Sequence, residues 1–89
     1  MSSLNEEIKI VCNPHIADLK KQGITETISG EPDEESSNLI EKAIDNSINE
    51  LFPIIAQSKQ GDKPMDYFLE KITKYFYMEL GIIYNPNNL

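Results

Sequence analysis

Arginine and tryptophan are absent from this 89-residue sequence, and cysteine occurs only once, at Cys12. Without arginine the chain lacks the planar group that proteins favour for bidentate phosphate recognition, which argues against nucleotide sites. A single cysteine excludes an internal disulfide, so an oxidising compartment is not implied. The start of the sequence has no basic, apolar leader, and eighteen apolar residues never occur together. We therefore expect a cytoplasmic protein that is not inserted in a membrane.

The length limits the chain to one domain, residues 1–89, with one modest hydrophobic core. A pocket that encloses a large cofactor would use much of that interior. We therefore expect no cofactor, and recognition through the protein surface.

Negative charge is concentrated in the first part of the chain. Residues 1–50 contain eleven acids and four lysines, whereas residues 51–89 contain four of each, so the formal net charge of -7 arises before residue 51. Such a surface repels phosphate backbones and anionic lipids and attracts basic proteins. Direct binding to nucleic acid or membrane is not expected.

A first helix is predicted after the capping-box pattern of residues 3–6, SLNE. Pro14 lies within its apolar stripe, so we expect a kink there, or two short helices with Asn13 capping the second. A strand over residues 6–12 is the alternative, because apolar residues also alternate there. Apolar residues recur every three or four positions before a stop at Gly23: Leu4, Ile8, Val11, Cys12, Ile16 and Leu19.

A second helix is predicted to begin among the acids and hydroxyls of residues 33–37, which suit the positive end of a helix dipole. Pro53 lies near its end, so Phe52 should end one segment and Pro53 should begin a short successor reaching Ser58. The predicted buried face comprises Ile40, Ala43, Ile44, Ile48, Leu51, Phe52 and Ile55.

A third helix is predicted with Pro64 in its first turn and Gly81 at its end. Ile82 and Ile83 should then fold back against the helices. The fold class predicted is therefore all-α, a small single-domain bundle of three kinked helices or four to five short ones. The third apolar stripe comprises Met65, Phe68, Leu69, Ile72, Phe76 and Leu80.

Residues 23–35, GITETISGEPDEE, are predicted to form an acidic loop between the first two helices. A connection of this length is long for a compact domain, and such loops are often functional or disordered. The run of residues 31–35 could chelate a hard cation, but it lacks the alternating ligands and the turn glycine of calcium loops. We therefore expect no metal site and treat the loop as a contact surface, with a solvated linker as the alternative.

Cys12 and His15 are three residues apart, close enough on one helix face to form a thiolate–imidazole pair. No third group that would orient the histidine is apparent in the sequence. We favour Cys12 as a small core residue and His15 as a polar group bonded to carbonyls freed at the kink. No enzymatic activity is expected.

Tyrosines are concentrated in the last third of the chain. At 100° per residue, Tyr67 and Tyr77 project away from the stripe of the third helix, and exposed tyrosines beside acids favour protein interfaces. Partial covering of the bundle by these rings is the alternative. The predicted partner-binding residues are Glu31, Asp33, Glu34, Glu35, Glu41, Asp45, Tyr67, Tyr77 and Tyr84.

The segment Ile82-Ile83-Tyr84-Asn85-Pro86 resembles the short Leu-Ile-Tyr-Tyr-Pro segment of the cytosolic immunity proteins of nuclease bacteriocins. The match covers five residues, with Asn85 where the second tyrosine belongs. The resemblance implies a small helical bacterial or phage protein that blocks a basic toxin through acids and tyrosines.

We therefore predict a non-enzymatic inhibitor, immunity or anti-defence protein that masks a basic surface on a protein partner. A structural or regulatory subunit acting as a homodimer is the alternative, because a chain this short gains core by pairing.

Overall fold

Three stretches with apolar residues at helical spacing form three helices in the computed structural model, which describes residues 4–58 and 63–84. They are α1 (Leu4–Gln22), α2 (Glu34–Ala56) and α3 (Met65–Leu80). The described residues contain no strand beyond an isolated bridge, so the predicted all-α class is confirmed. The predicted cap Ser3, the predicted break at residues 59–61, and Asn85 and Pro86 lie outside the described residues.

Helix α1 buries one stripe, formed by Ile8, Cys12, Ile16 and Leu19. Ile10, which the strand alternative would pair with Ile8, is 59% exposed, so the strand alternative is wrong. The helix stops where predicted, because Gly23 adopts a positive φ of 74°. Glycine takes this conformation without the steric cost that other residues pay.

Both internal prolines lie within continuous helices, Pro14 in α1 and Pro53 in α2. The predicted break with a cap at Asn13 and the predicted end at Phe52 are therefore wrong. A proline removes one N–H donor, and the carbonyls four residues earlier belong to Ile10 and Asn49, both on exposed positions. Water can bond these carbonyls, while buried residues on either side of each proline keep the helix packed.

Helix α2 begins at Glu34 because the Asp33 side chain accepts a hydrogen bond from the Ser36 backbone N–H at 2.8 Å. Its buried residues are spaced three or four apart: Ser36, Ile40, Ala43, Ile44, Ser47, Leu51 and Ile55. Phe52 is 57% exposed, so its predicted burial is wrong. Leu51 is buried at that turn of the helix. Because successive side chains are rotated by about 100°, Phe52 points away from the core.

Helix α3 buries Phe68, Ile72 and Phe76 at steps of four residues. Met65 and Leu69 were predicted to be in this stripe, but each is 38% exposed and lies at its edge. Pro64 is the residue before the helix and not part of its first turn. The three stripes meet in one hydrophobic core, with each helix in contact with the other two.

The segment after α3 folds back as predicted. Gly81 caps the helix with a φ of 72°, and the Ile82 N–H then donates to the Tyr77 carbonyl at 3.2 Å. The Ile83 N–H donates to the Gly30 carbonyl at 3.1 Å. These bonds place residues 82–84 against the connection between α1 and α2.

That connection comprises residues 23–33 and has a defined conformation, shorter by two residues than the predicted acidic loop. The Thr27 N–H donates to the Glu31 carbonyl at 2.6 Å, and an antiparallel bridge joins Glu26 to Pro32. Gly30 at the turn has a φ of 88°, and a Cβ there would lie 2.9 Å from Cδ1 of Ile83. The glycine therefore allows the close approach of the folded-back segment.

Candidate partner-binding groove

Residues of α2 and α3 line an open groove of about 1120 Å³ on one side of the bundle. On α2 the groove is lined by positions 37, 41, 44 and 45, and on α3 by positions from 66 to 77, which recur at helical spacing. The full lining consists of Glu31, Pro32, Ser37, Glu41, Ile44, Asp45, Asp66, Leu69, Glu70, Thr73, Lys74, Tyr77, Ile83 and Tyr84. We call this surface the α2–α3 groove.

Negative charge predominates along the α2–α3 groove. Its lining has five acids and one base, Lys74, whose Nζ lies 2.9 Å from the Glu70 carboxylate. Within the part of the chain that the structure describes, the side chains of Glu41, Asp45 and Asp66 form no hydrogen bond or ion pair. These three carboxylates therefore stay available to a cationic partner.

The folded-back segment and the α1–α2 connection border one end of the groove. The rings of Tyr77 and Tyr84 pack with centroids 4.9 Å apart, and the connection contributes Glu31 and Pro32. Burial, and next the nearby Glu41 carboxylate, raise the pKa of Tyr77 above its ordinary value. The Tyr77 hydroxyl therefore remains a neutral hydrogen-bond donor at physiological pH.

Five of the nine predicted partner-binding residues line this groove, although they come from three separate parts of the sequence: Glu31, Glu41, Asp45, Tyr77 and Tyr84. Tyr77 is half-buried and packs on the core, so it projects outward less than predicted. Sequence reasoning missed Asp66, Leu69 and Glu70. Positions 66, 70 and 77 are spaced so that they share one face of a helix, and this spacing could have indicated that Asp66 and Glu70 lie beside Tyr77.

The other predicted acids, Asp33, Glu34 and Glu35, do not line the groove. Hydrogen bonds from the Thr25 hydroxyl, and then from Ser36, hold the pKa of Asp33 below its usual range. Its carboxylate is therefore engaged in capping α2. Glu34 and Glu35 are exposed in the first turn, where they complement the helix dipole.

Tyr67 lies outside the groove as well, with 37% of its surface exposed. Its ring packs edge-on against Phe68, with centroids 5.2 Å apart. The ammonium groups of Lys63 and Lys71 each lie 5.4 Å from its centroid. The charged groups nearest the Tyr67 ring are therefore basic, whereas those of the groove are mostly acidic.

Cys12 and His15 do not form a catalytic pair in the structure. Cys12 is fully buried, as predicted, and His15 contacts the Glu50 carboxylate instead of backbone carbonyls at a kink. Burial raises the pKa of the Cys12 thiol to about 11, a hydrogen bond with Ser47 opposes this effect, and the Glu50 charge adds to it. A protonated, buried thiol is a poor nucleophile.

The Cys12 thiol makes stability depend on pH in the alkaline range. Its folded pKa of about 11 exceeds the reference value of 9.0, so the stabilisation is complete below pH 9 and is lost as pH rises through 11. We expect the free energy of unfolding to fall more steeply over this range in the wild type than in Cys12→Ala. Urea denaturation of both proteins at several pH values measures the difference. The two proteins differ only at Cys12, so equal slopes would contradict the assignment.

Among residues 4–58 and 63–84, no group of three or more His, Cys, Asp or Glu side chains is arranged to hold a metal ion. None of the described helices is both long and apolar enough to cross a membrane.

Comparison with known proteins finds no matching family model, no similar curated protein and no similar solved structure.

Proposed function

We propose that this protein is a non-enzymatic binding protein of the inhibitor, immunity or anti-defence type that acts in the cytoplasm. Its α2–α3 groove masks a basic surface on a protein partner. The observation that supports this most is the convergence of predicted acids and tyrosines, from three parts of the chain, on a single groove.

Electrostatics supports a basic protein over other partners. The groove acids repel phosphate backbones and anionic lipid heads, so nucleic acid and membranes are disfavoured. Two copies of the chain, each with a net charge of -7, would also place like charges together if they paired through this groove.

Two residues of the segment that resembles immunity proteins also lie at this site. Ile83 and Tyr84 both line the groove, beside Tyr77. In the proposed function, the two tyrosines supply rigid contact area with polar tips next to the acids, a combination frequent at protein interfaces.

The test begins with capture of partners from an extract of the native host, or of the phage-infected host, on the immobilised chain. The captured protein is then titrated into the isotopically labelled chain while amide chemical shifts are followed. We expect the shifts to concentrate in residues 37–45, 66–77 and 82–84. Shifts concentrated on the exposed face of α1, around Lys9 and Lys20, would contradict the proposal.

A further inference from the structure

The α2–α3 groove is lined by apolar side chains as well as by acids, and charge recognition alone does not require the apolar ones. Three of these apolar side chains, Ile44 (4% exposed), Leu69 (38%) and Ile83 (52%), form what we call the apolar floor. Apolar side chains left in water and rimmed by polar groups mark surfaces that a partner covers. The occupant must therefore present apolar side chains as well as positive charge.

The walls of the groove are helices, and they limit the backbone conformation of an occupant. Backbone N–H and C=O groups inside a helix are already paired, so an extended peptide would find few partners for its own. The described residues offer only the isolated Glu26–Pro32 bridge as strand-like structure. A helical occupant satisfies its own backbone, and packing it between α2 and α3 adds a helix to the bundle.

The length of the groove also suits a helix. From Asp66 to Tyr77 the α3 wall spans eleven steps of the helix, or roughly 16 Å at ~1.5 Å per residue. That distance equals about three turns, enough for anchors at positions i, i+3 or i+4, and i+7.

The acids stand on both sides of the apolar floor. Glu41 and Asp45 project from α2, and Asp66 and Glu70 project from α3. A helix seated on the floor would therefore meet carboxylates along both of its flanks. Lysine or arginine on those flanks would pair with them, with the long side chains extending over the rims.

We infer that the groove binds an amphipathic helix of its partner, about three turns long, with an apolar stripe on Leu69, Ile83 and Ile44 and with basic residues on both flanks. This inference rests on the proposed function and specifies the element of the partner that the groove recognises.

Three synthetic peptides of about 14 residues test the inference by fluorescence anisotropy and circular dichroism. The first has leucines at helical spacing and lysines on the flanks. The second has the same composition with the leucines scattered around the helix. The third keeps the leucine stripe and replaces every lysine with glutamate.

We expect the first peptide to bind at least tenfold more tightly than the second and to gain helical signal on binding. Leu69→Asn should weaken its binding, whereas Met78→Asn, an exposed position of the same helix outside the groove, should not. Thermal unfolding of both variants verifies their folding.

Equal binding of the two basic peptides would overturn the helical occupant and leave the proposed function standing, because charge alone would then suffice. Binding of the acidic peptide as tightly as the first would overturn the proposed function itself. Binding of none of the three would overturn the inference alone.

Discussion

Replacing Phe76 with alanine is expected to lower the free energy of unfolding by about 3–5 kcal/mol, the usual cost of removing a buried aromatic ring. Phe76 is completely buried in the core where all three helices meet. A small domain has roughly 5–15 kcal/mol of stability in total, so the variant should be close to unfolding at physiological temperature. Its thermal midpoint should fall by on the order of 20 °C.

Phe52→Ala is the matched control, because it removes the same ring from a position that is 57% exposed. We expect it to lower the free energy of unfolding by less than about 1 kcal/mol. Urea denaturation of the wild type and both variants measures the difference. Equal losses would contradict the assignment of Phe76, and not Phe52, to the core.

Most of the fold could be predicted from the sequence because the apolar residues that recur at helical spacing are largely the residues that the core buries. The stripes at Ile8 to Leu19, Ile40 to Ile55 and Phe68 to Phe76 each occupy one helix face, and glycines end two of the helices. The start of α2 was likewise predicted within residues 33–37, although Asp33, which caps the helix, was assigned to partner binding.

The errors concern positions where local rules and tertiary packing disagree. Pro14 and Pro53 weaken a helix locally, but buried residues on both sides hold each helix in place. Phe52 was placed inside because it is apolar and adjoins the stripe, whereas the interior at that turn belongs to Leu51. Hydrophobicity alone does not decide which of two adjacent residues is buried.

The site was only partly predictable, because it forms where two helices meet. Charge counted along the sequence identified Glu31, Glu41 and Asp45 but missed Asp66 and Glu70, since residues 51–89 have balanced charge. What matters for recognition is the charge on one face, and the packing of α2 on α3 determines it. The apolar floor could not be predicted either, because it also forms only when α2 packs on α3.

Neutralising the groove is the change with the largest expected effect on binding. The variant Glu41→Gln, Asp45→Asn, Asp66→Asn removes three carboxylates that form no internal hydrogen bond or ion pair within the described residues. Its fold should therefore persist, while the attraction to a basic partner is strongly weakened. Steered association is faster by about 10–10³-fold than neutral encounter, so the on-rate should fall at least tenfold at low salt.

A matched control separates this local effect from that of net charge. Asp18→Asn, Glu35→Gln, Glu79→Gln also removes three negative charges, at exposed positions outside the groove. At physiological ionic strength, charges more than about 8 Å from the partner are largely screened. The control should therefore bind nearly as the wild type does.

The most direct test of the groove's role is the on-rate of the captured partner for the wild type, the groove variant and the control, measured from low to physiological salt. We expect a steep decrease with salt for the wild type and the control, and a slower rate that changes less with salt for the groove variant. Equal on-rates for the groove variant and the control would contradict the assignment of the α2–α3 groove as the partner-binding surface.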